Sequence, residues 1–284
     1  CFYSIAENES EENQTFLTYN MVVGSSFDKK QSVAMNILEY AIMDAPGAPL
    51  KKALVDAGIG EDVFASFDDG IRQTIFSIVA RNANMSDKER FVSVIRDTLT
   101  DLSGHGEEGK AIDRTSIEAA INNFEFKHKE ANFGRFPKGL MMGLDAFNTW
   151  LYDDASALEM FKLNEVYDEL KESLKTGYFE ELIWEKLVQN TFGMIFVMKP
   201  KKGLDKENDA AEKQKLADYK ASLTENELEQ VVSDTKELKL YQETPSPAKD
   251  MEKVPLLNIS DIRKEIHPLK NREDSIYGMP LISH

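Results

Sequence analysis

Hydrolysis through a single zinc ion needs about three nitrogen, sulfur or carboxylate ligands and an open position for water. The residues here that could supply nitrogen or sulfur are His105, His128, His267 and His284, together with the one thiol, Cys1. None of the histidines stands in H-x-x-E-H or H-E-x-x-H, the spacings that set two imidazoles on one helix face beside a glutamate. The densest group is Glu125, His128 and Glu130. Glu125 and His128 are three residues apart and share a helix face, but solvated surface residues have the same spacing, and we assign no metal site. Asp68-Asp69 and Asp153-Asp154 are adjacent carboxylates, which point to opposite faces of a strand or cap the start of a helix from a turn. They read as turn residues. No G-x-S-x-G elbow, P-loop or G-x-G-x-x-G occurs, and Gly58-Ile59-Gly60 reads as a helix end rather than a phosphate cradle. Trp150 with Tyr152, and Trp184 with Tyr178 and Phe179, read as core aromatics. The residues therefore yield no catalytic, cofactor-binding or metal-ligating assignment.

Composition narrows the class further. Fifty acidic against 34 basic residues leave a net charge of −16, which repels nucleic acid phosphates and anionic lipid. The nearest thing to a basic patch is Lys199, Lys201 and Lys202 around Pro200. Neither a nucleic acid nor a membrane is expected as a partner. One cysteine excludes an internal disulfide and a thiol-only metal site and suits a reducing compartment. No apolar run approaches the roughly 18–20 residues that span a bilayer. A 42% hydrophobic content with 16 phenylalanines is that of a folded chain.

The elements that would carry such residues follow from periodicity. Residues 16–23 read as a strand ending at Gly24. A helix over about 28–44 buries Val33, Ile37, Leu38 and Ala41 as one stripe, and Pro49–Ala57 is a short helix with proline in its first turn. Residues 61–68 and 73–82 form a hairpin across Asp68-Asp69-Gly70. Ser86–Glu89 and Thr115–Glu118 have the capping-box spacing, each before a helix. Further helices are expected over 140–152, 165–175 and 179–189. Thr191–Met198, apolar on both faces, reads as a central strand. This order is α+β with a mainly antiparallel sheet. From Lys201 the chain becomes densely charged. Leu216, Tyr219 and Leu223, then Leu228, Val231, Val232 and Leu238, mark a helical hairpin whose second helix opens with a capping box at Thr224–Glu227. The expected division is an α+β domain over 1–200, a helical hairpin linker over 201–242 and an extended tail over 243–284.

Four stretches together resemble the pitrilysin/insulinase-type zinc metallopeptidases, in their presequence-protease branch. They are Pro46-Gly-Ala-Pro-Leu50 through Gly58-Ile-Gly60; Ile121-Asn-Asn-Phe-Glu125 through Phe133-Gly-Arg-Phe-Pro137-Lys-Gly-Leu140; Trp150-Leu-Tyr-Asp153 with Gly177-Tyr-Phe-Glu180; and the segment from Leu216 through Val254-Pro-Leu256 to Asp261-Ile262. The second is the most specific. The resemblance implies the second domain of the N-terminal half plus the linker to the missing half, and a zinc that belongs to the intact enzyme with ligands outside this chain. It also implies unstructured peptides as substrates and the remaining domains of the same polypeptide as partners. The chain alone is then expected to be inactive. It begins without Met, directly before a strand-like segment, which reads as a piece of a longer protein. A bacterial cytoplasm is the expected location, an organellar matrix the other setting. The competing reading is a catalytically inactive peptide-binding or scaffold subunit.

Overall fold

The computed structural model describes residues 1–107, 109, 111–262, 264–265 and 272–283. The chain divides into two units, Cys1–Ala210 and Ala211–His284.

The first unit is built on a five-stranded sheet of β1 (Phe2–Ile5), β2 (Thr15–Ser25), β3 (Asp62–Asp68), β4 (Gln73–Ala83) and β5 (Gly193–Lys202), in the order β1-β5-β2-β4-β3. All neighbours are antiparallel except β1 and β5. The strand expected over 191–198 is β5, an interior strand in the order, with β2 along Gly193–Met198 and β1 along Lys199–Lys202; of its two apolar faces, the one with Met194 and Phe196 stays exposed, a correction to the expectation of burial on both. β1 lies in the strand-like segment noted at the start of the chain, for which no strand bounds were expected.

Helices cover one face of this sheet. They are α1 (Lys29–Glu39), α2 (Pro49–Asp56), α3 (Lys88–Leu102), α4 (Arg114–Glu130), α5 (Lys138–Trp150), α6 (Asn164–Ser173) and α7 (Tyr178–Ile183). Leu17, Met21, Val23, Phe76, Ile78 and Ala80 from the strands share one buried cluster with Ile37 and Leu38 of α1, Phe91 and Ile95 of α3 and Ile121 of α4. Burial at about 25 cal/mol per Å² of apolar surface makes this cluster the main stabilising term.

Helix α1 departs from the expected single stripe: Gln31, Ser32, Val33, Ala34, Met35, Ile37 and Leu38 are all buried. The reason is a second layer, because α4 and α6 pack against it as well as the sheet. Its start is capped by Asp28, whose carboxylate accepts from Gln31 N. The Gln31 amide then donates to Val23 O at 2.8 Å, and a Cβ at residue 24 would lie 1.8 Å from Gln31 Nε2, so glycine lets the side chain cross the strand. The helix continues as a π-helical turn over Tyr40–Asp44.

Two caps lie two residues ahead of their expected places. In place of the box expected at Ser86–Glu89, Asn84 and Asp87 box the 3-10 turn Met85–Asp87 that leads into α3, with Asn13 as a tertiary partner of Asn84. Asp113 replaces Thr115, its carboxylate accepting from both the backbone and the hydroxyl of Ser116.

In the second unit, the remainder of α8 (Leu204–Ser222) is followed by α9 (Glu225–Glu243), and neither helix has a buried residue. The Thr224–Glu227 capping box opens α9 as expected. Residues 243–284, expected as an extended tail, contain a four-residue helix α10 (Ala248–Met251) and a hairpin of β6 (Arg272–Ile276) and β7 (Met279–Ser283). His267 and His284 lie outside the described residues.

Glu39, at the end of α1, carries a pH-dependent cost. Burial, with the Asp44 charge adding to it, pushes its carboxyl from the ordinary 4.5 to about 7. The folded state thus holds the proton more tightly than the unfolded chain, and stability falls as pH rises through that window. Glu39→Gln is expected to match the parent in urea unfolding near pH 4 and to be more stable at pH 8. Equal stability at both pH values would remove Glu39 as a source of this cost.

Candidate functional site

The face of the sheet away from the helices is uncovered, and its composition follows from register. Directly paired residues share a face. Thr18 pairs with Val79 on one side and Phe196 on the other, and Phe64 pairs with Val79, so Phe64, Val79, Thr18 and Phe196 form one row. The next row is Ser66, Ser77, Asn20 and Met194. A polar line runs through the middle: Ser77 Oγ donates to Asn20 Oδ1 at 2.8 Å, and Asn20 Nδ2 donates to Thr18 Oγ1 at 2.7 Å. Beside it Phe192, Met194 and Phe196 are 76%, 60% and 37% exposed. Phe16 extends the apolar area, with the Arg81 guanidinium 5.7 Å from its ring.

Such a surface offers apolar area flanking hydroxyl and amide groups, which suits contact with an extended peptide. It has no nucleophile–base pair and no metal-ligand set. Among the described residues no three His, Cys, Asp or Glu side chains stand close enough to hold a metal ion.

The residues singled out by sequence go to other tasks. Glu125 bonds Lys129 at 2.6 Å and also Lys171, and these lysines hold its carboxyl below the usual range. His128 turns instead toward Tyr167, ring to ring at 5.7 Å, while Glu130 is exposed. His105 stacks on Trp184 at 4.0 Å. Asp68 accepts from Gly70 N, and Asp153 from Ala155 N and Ser156 Oγ, which is turn chemistry. Asp69 departs from that pattern and accepts from the Asn36 amide.

The aromatic expectations divide. Phe179 is core, but Trp150 and Tyr152 are exposed, a correction. Trp150 stacks on Phe147 and donates from Nε1 to Asp154 at 3.1 Å, so its polar edge is satisfied at the surface. The open-face set of Phe64, Thr18, Asn20, Ser77 and Phe196 was not identifiable one strand at a time. Its only sequence signal is alternation within each strand; which residues become neighbours depends on pairing.

Residues 3–124 match the family described as Peptidase M16 inactive domain, and residues 198–284 match the domain described as associated with subfamily C of the same peptidases. The chain is 34% identical over 282 residues to Protein HypA of Clostridium perfringens, covering 99% of this chain and 28% of that protein. It is 31% identical over 262 residues to Presequence protease 1, chloroplastic/mitochondrial, of Arabidopsis thaliana, covering 90% of this chain and 24% of that protein. The chain thus spans about a quarter of the length of these curated relatives. In fold it resembles the inactive peptidase domain of a proposed zinc protease from Bordetella parapertussis, with a TM-score of 0.52, 13% identity, and coverage of 69% of this chain and 95% of that one.

The two faces of β2 and β5 should respond differently to truncation. Leu17→Ala, at a fully buried position, is expected to cost about 2–5 kcal/mol in urea unfolding, and Phe196→Ala on the open face under about 1 kcal/mol. Comparable losses for the two would mean that the open face is part of the core.

Proposed function

The chain belongs to the M16 peptidases, the pitrilysin/insulinase type its motifs resemble, as a non-catalytic segment, and from this we propose that it forms chamber wall and hinge in a zinc metalloendopeptidase that degrades unstructured peptides. The observation that carries the reading is the uncovered sheet face. Helices bury one side of the sheet, while the other keeps Phe192, Met194 and Phe196 exposed beside the Ser77–Asn20–Thr18 line. A rigid wall of this kind shapes a cavity without taking part in bond breaking. In this reading residues 1–200 are the wall, 201–242 the hinge and 243–284 the lead into the following half. The exposed, charged helices α8 and α9 support the hinge assignment, since a lever between larger bodies must be covered by them in turn.

Among the described residues no His, Cys, Asp and Glu group fits a zinc site. Glu125 is bound to lysines and His105 to an indole ring, so zinc chemistry would come from other domains of the same polypeptide. No step of it is assigned to this chain. A bacterial cytoplasm or an organelle matrix is the setting that suits the relatives; among the described residues no helix is long and apolar enough to cross a membrane.

Two measurements test this. In the full-length enzyme, a photo-crosslinking residue at Met194 or Phe196 should label an unstructured peptide substrate, while one at Val55 or Leu158, exposed positions outside the sheet, should not. Equal labelling at all four would refute the wall assignment. The isolated 284-residue chain should hydrolyse no peptide with or without added zinc; chelator-sensitive hydrolysis would show an independent enzyme instead. An upstream reading frame carrying H-x-x-E-H is expected, and its absence would favour the scaffold reading.

A further inference from the structure

A cavity of about 390 Å³ lies in the helical layer of the first unit, bordered by α1, the β3–β4 turn, α4, α5 and the start of α6. Its size is within the range that takes small ligands, roughly 300–1,000 Å³. Helix α1 contributes Lys29, Ser32, Val33 and Asn36, which at i, i+3, i+4 and i+7 form one stripe. Phe124, Phe133, Met142, Phe161 and Tyr167 supply apolar walls.

Two carboxyl groups, Asp69 and Asp145, line the same space. Burial pushes both above the usual carboxylate range, for Asp69 against the Asn36 bond and with the Asp68 and Asp145 charges adding to the rise. Among the described residues neither has an ion-pair partner, although two lysines border the cavity. Lys29 is bonded to Glu159, which also holds Lys162 at 2.7 Å. The Lys127 ammonium sits over the rings of Phe124 and Tyr40, at 5.6 and 5.9 Å. Burial lowers the His128 pKa, although the Asp145 charge works the other way, so its imidazole is mainly neutral at pH 7. A second, independent feature is Ser32. It is only 5% exposed, and among the described residues its hydroxyl has no hydrogen-bond partner. A buried hydroxyl left unpaired keeps its desolvation cost without a compensating bond.

We propose that this cavity binds an organic cation, a guanidinium or alkylammonium group on an apolar stem. Asp69 and Asp145 take the charge, the Ser32 hydroxyl accepts one N–H, and the aromatic rings cover the stem and add cation–π attraction. The source is either a free small amine or guanidine, or the basic side chain of a peptide. The site lies among the helices, away from the open sheet face, and does not depend on the wall assignment. The titratable or charged groups facing it are Lys29, Asp69, Lys127, His128, Asp145 and Tyr167, with Glu159 behind Lys29. The Tyr167 hydroxyl, pushed up to about 12 by burial first and by the Glu125 charge, stays neutral throughout. Acidification protonates both aspartates and charges His128, and each change opposes a bound cation.

Calorimetric titration of the 284-residue chain tests this with n-butylguanidinium and its neutral counterpart n-butylurea. At pH 7.5 the cation is expected to bind at least about tenfold more tightly than the urea, equivalent to about 1.4 kcal/mol, and that advantage to shrink at pH 5. Asp69→Asn and Asp145→Asn should each weaken cation binding about tenfold and leave urea binding unchanged. Circular dichroism melts identify a variant that does not fold, in which case the other variant and the two-ligand, two-pH comparison on the parent decide. The proposal is overturned if n-butylguanidinium does not bind at millimolar concentration, binds no better than n-butylurea, or binds both folded variants as it binds the parent. Given cation binding, a blocked arginine peptide that binds at least as well, with its citrulline counterpart failing, identifies a peptide side chain as the source; a peptide that fails identifies a free small cation.

Discussion

Helix α1 is buried around most of its circumference, and the first unit is arranged to make that burial tolerable. A helix hydrophobic on one stripe needs one neighbouring layer; one buried all round needs two. The sheet provides the first through Leu17, Met21 and Ile78, and α4 and α6 provide the second. The cost falls on the helix's polar side chains. Gln31 resolves it by donating to Val23 O across Gly24, and Asn36 by donating to Ser32 O and to Asp69. Among the described residues Ser32 has no such outlet, which is why the cavity beside it draws attention as a ligand site rather than as a packing defect.

Packing α1, α2 and α3 on one side of the sheet leaves the other side to be stabilised by itself. There the cross-strand pairs do the work: hydroxyl and amide groups on β2 and β4 satisfy one another, and Phe196 and Val79 flank Thr18 from either side. A face built this way stays wettable while keeping apolar area exposed, which sets it apart from an unfinished core.

Much of this frame was legible in the sequence because it rests on local rules. The Asp68-Asp69-Gly70 turn, proline opening α2, the Thr224–Glu227 box and the two apolar faces of β5 each follow from a few adjacent residues. What was not legible depends on partners distant in sequence. β1 is only four residues long, and as a strand it is fixed by parallel pairing with β5, some 200 positions away. The capping box formed at Asn84 and Asp87, on the 3-10 turn ahead of α3, where Asn13 also bonds the Asn84 side chain. Trp150 went to the surface because Asp154 satisfies its N–H there. The open-face set and the Asp69–Asp145 cavity are likewise products of pairing and packing, and neither leaves a motif.

The helices α8 and α9 place the absence of a metal motif in context. Each runs for nineteen residues without one buried side chain, and what holds them locally is a capping box and i,i+4 pairs such as Gln214–Asp218, Gln230–Asp234 and Lys239–Glu243, each worth only about 0.2–0.5 kcal/mol. Leu216, Tyr219, Val231 and Leu238 stay exposed on them. Apolar residues at helical spacing without a covering layer leave contact area open to solvent. The same logic governs the open sheet face. In both places apolar side chains stay in contact with solvent among charged or hydrogen-bonding neighbours, so the exposed apolar area is dispersed and wettable.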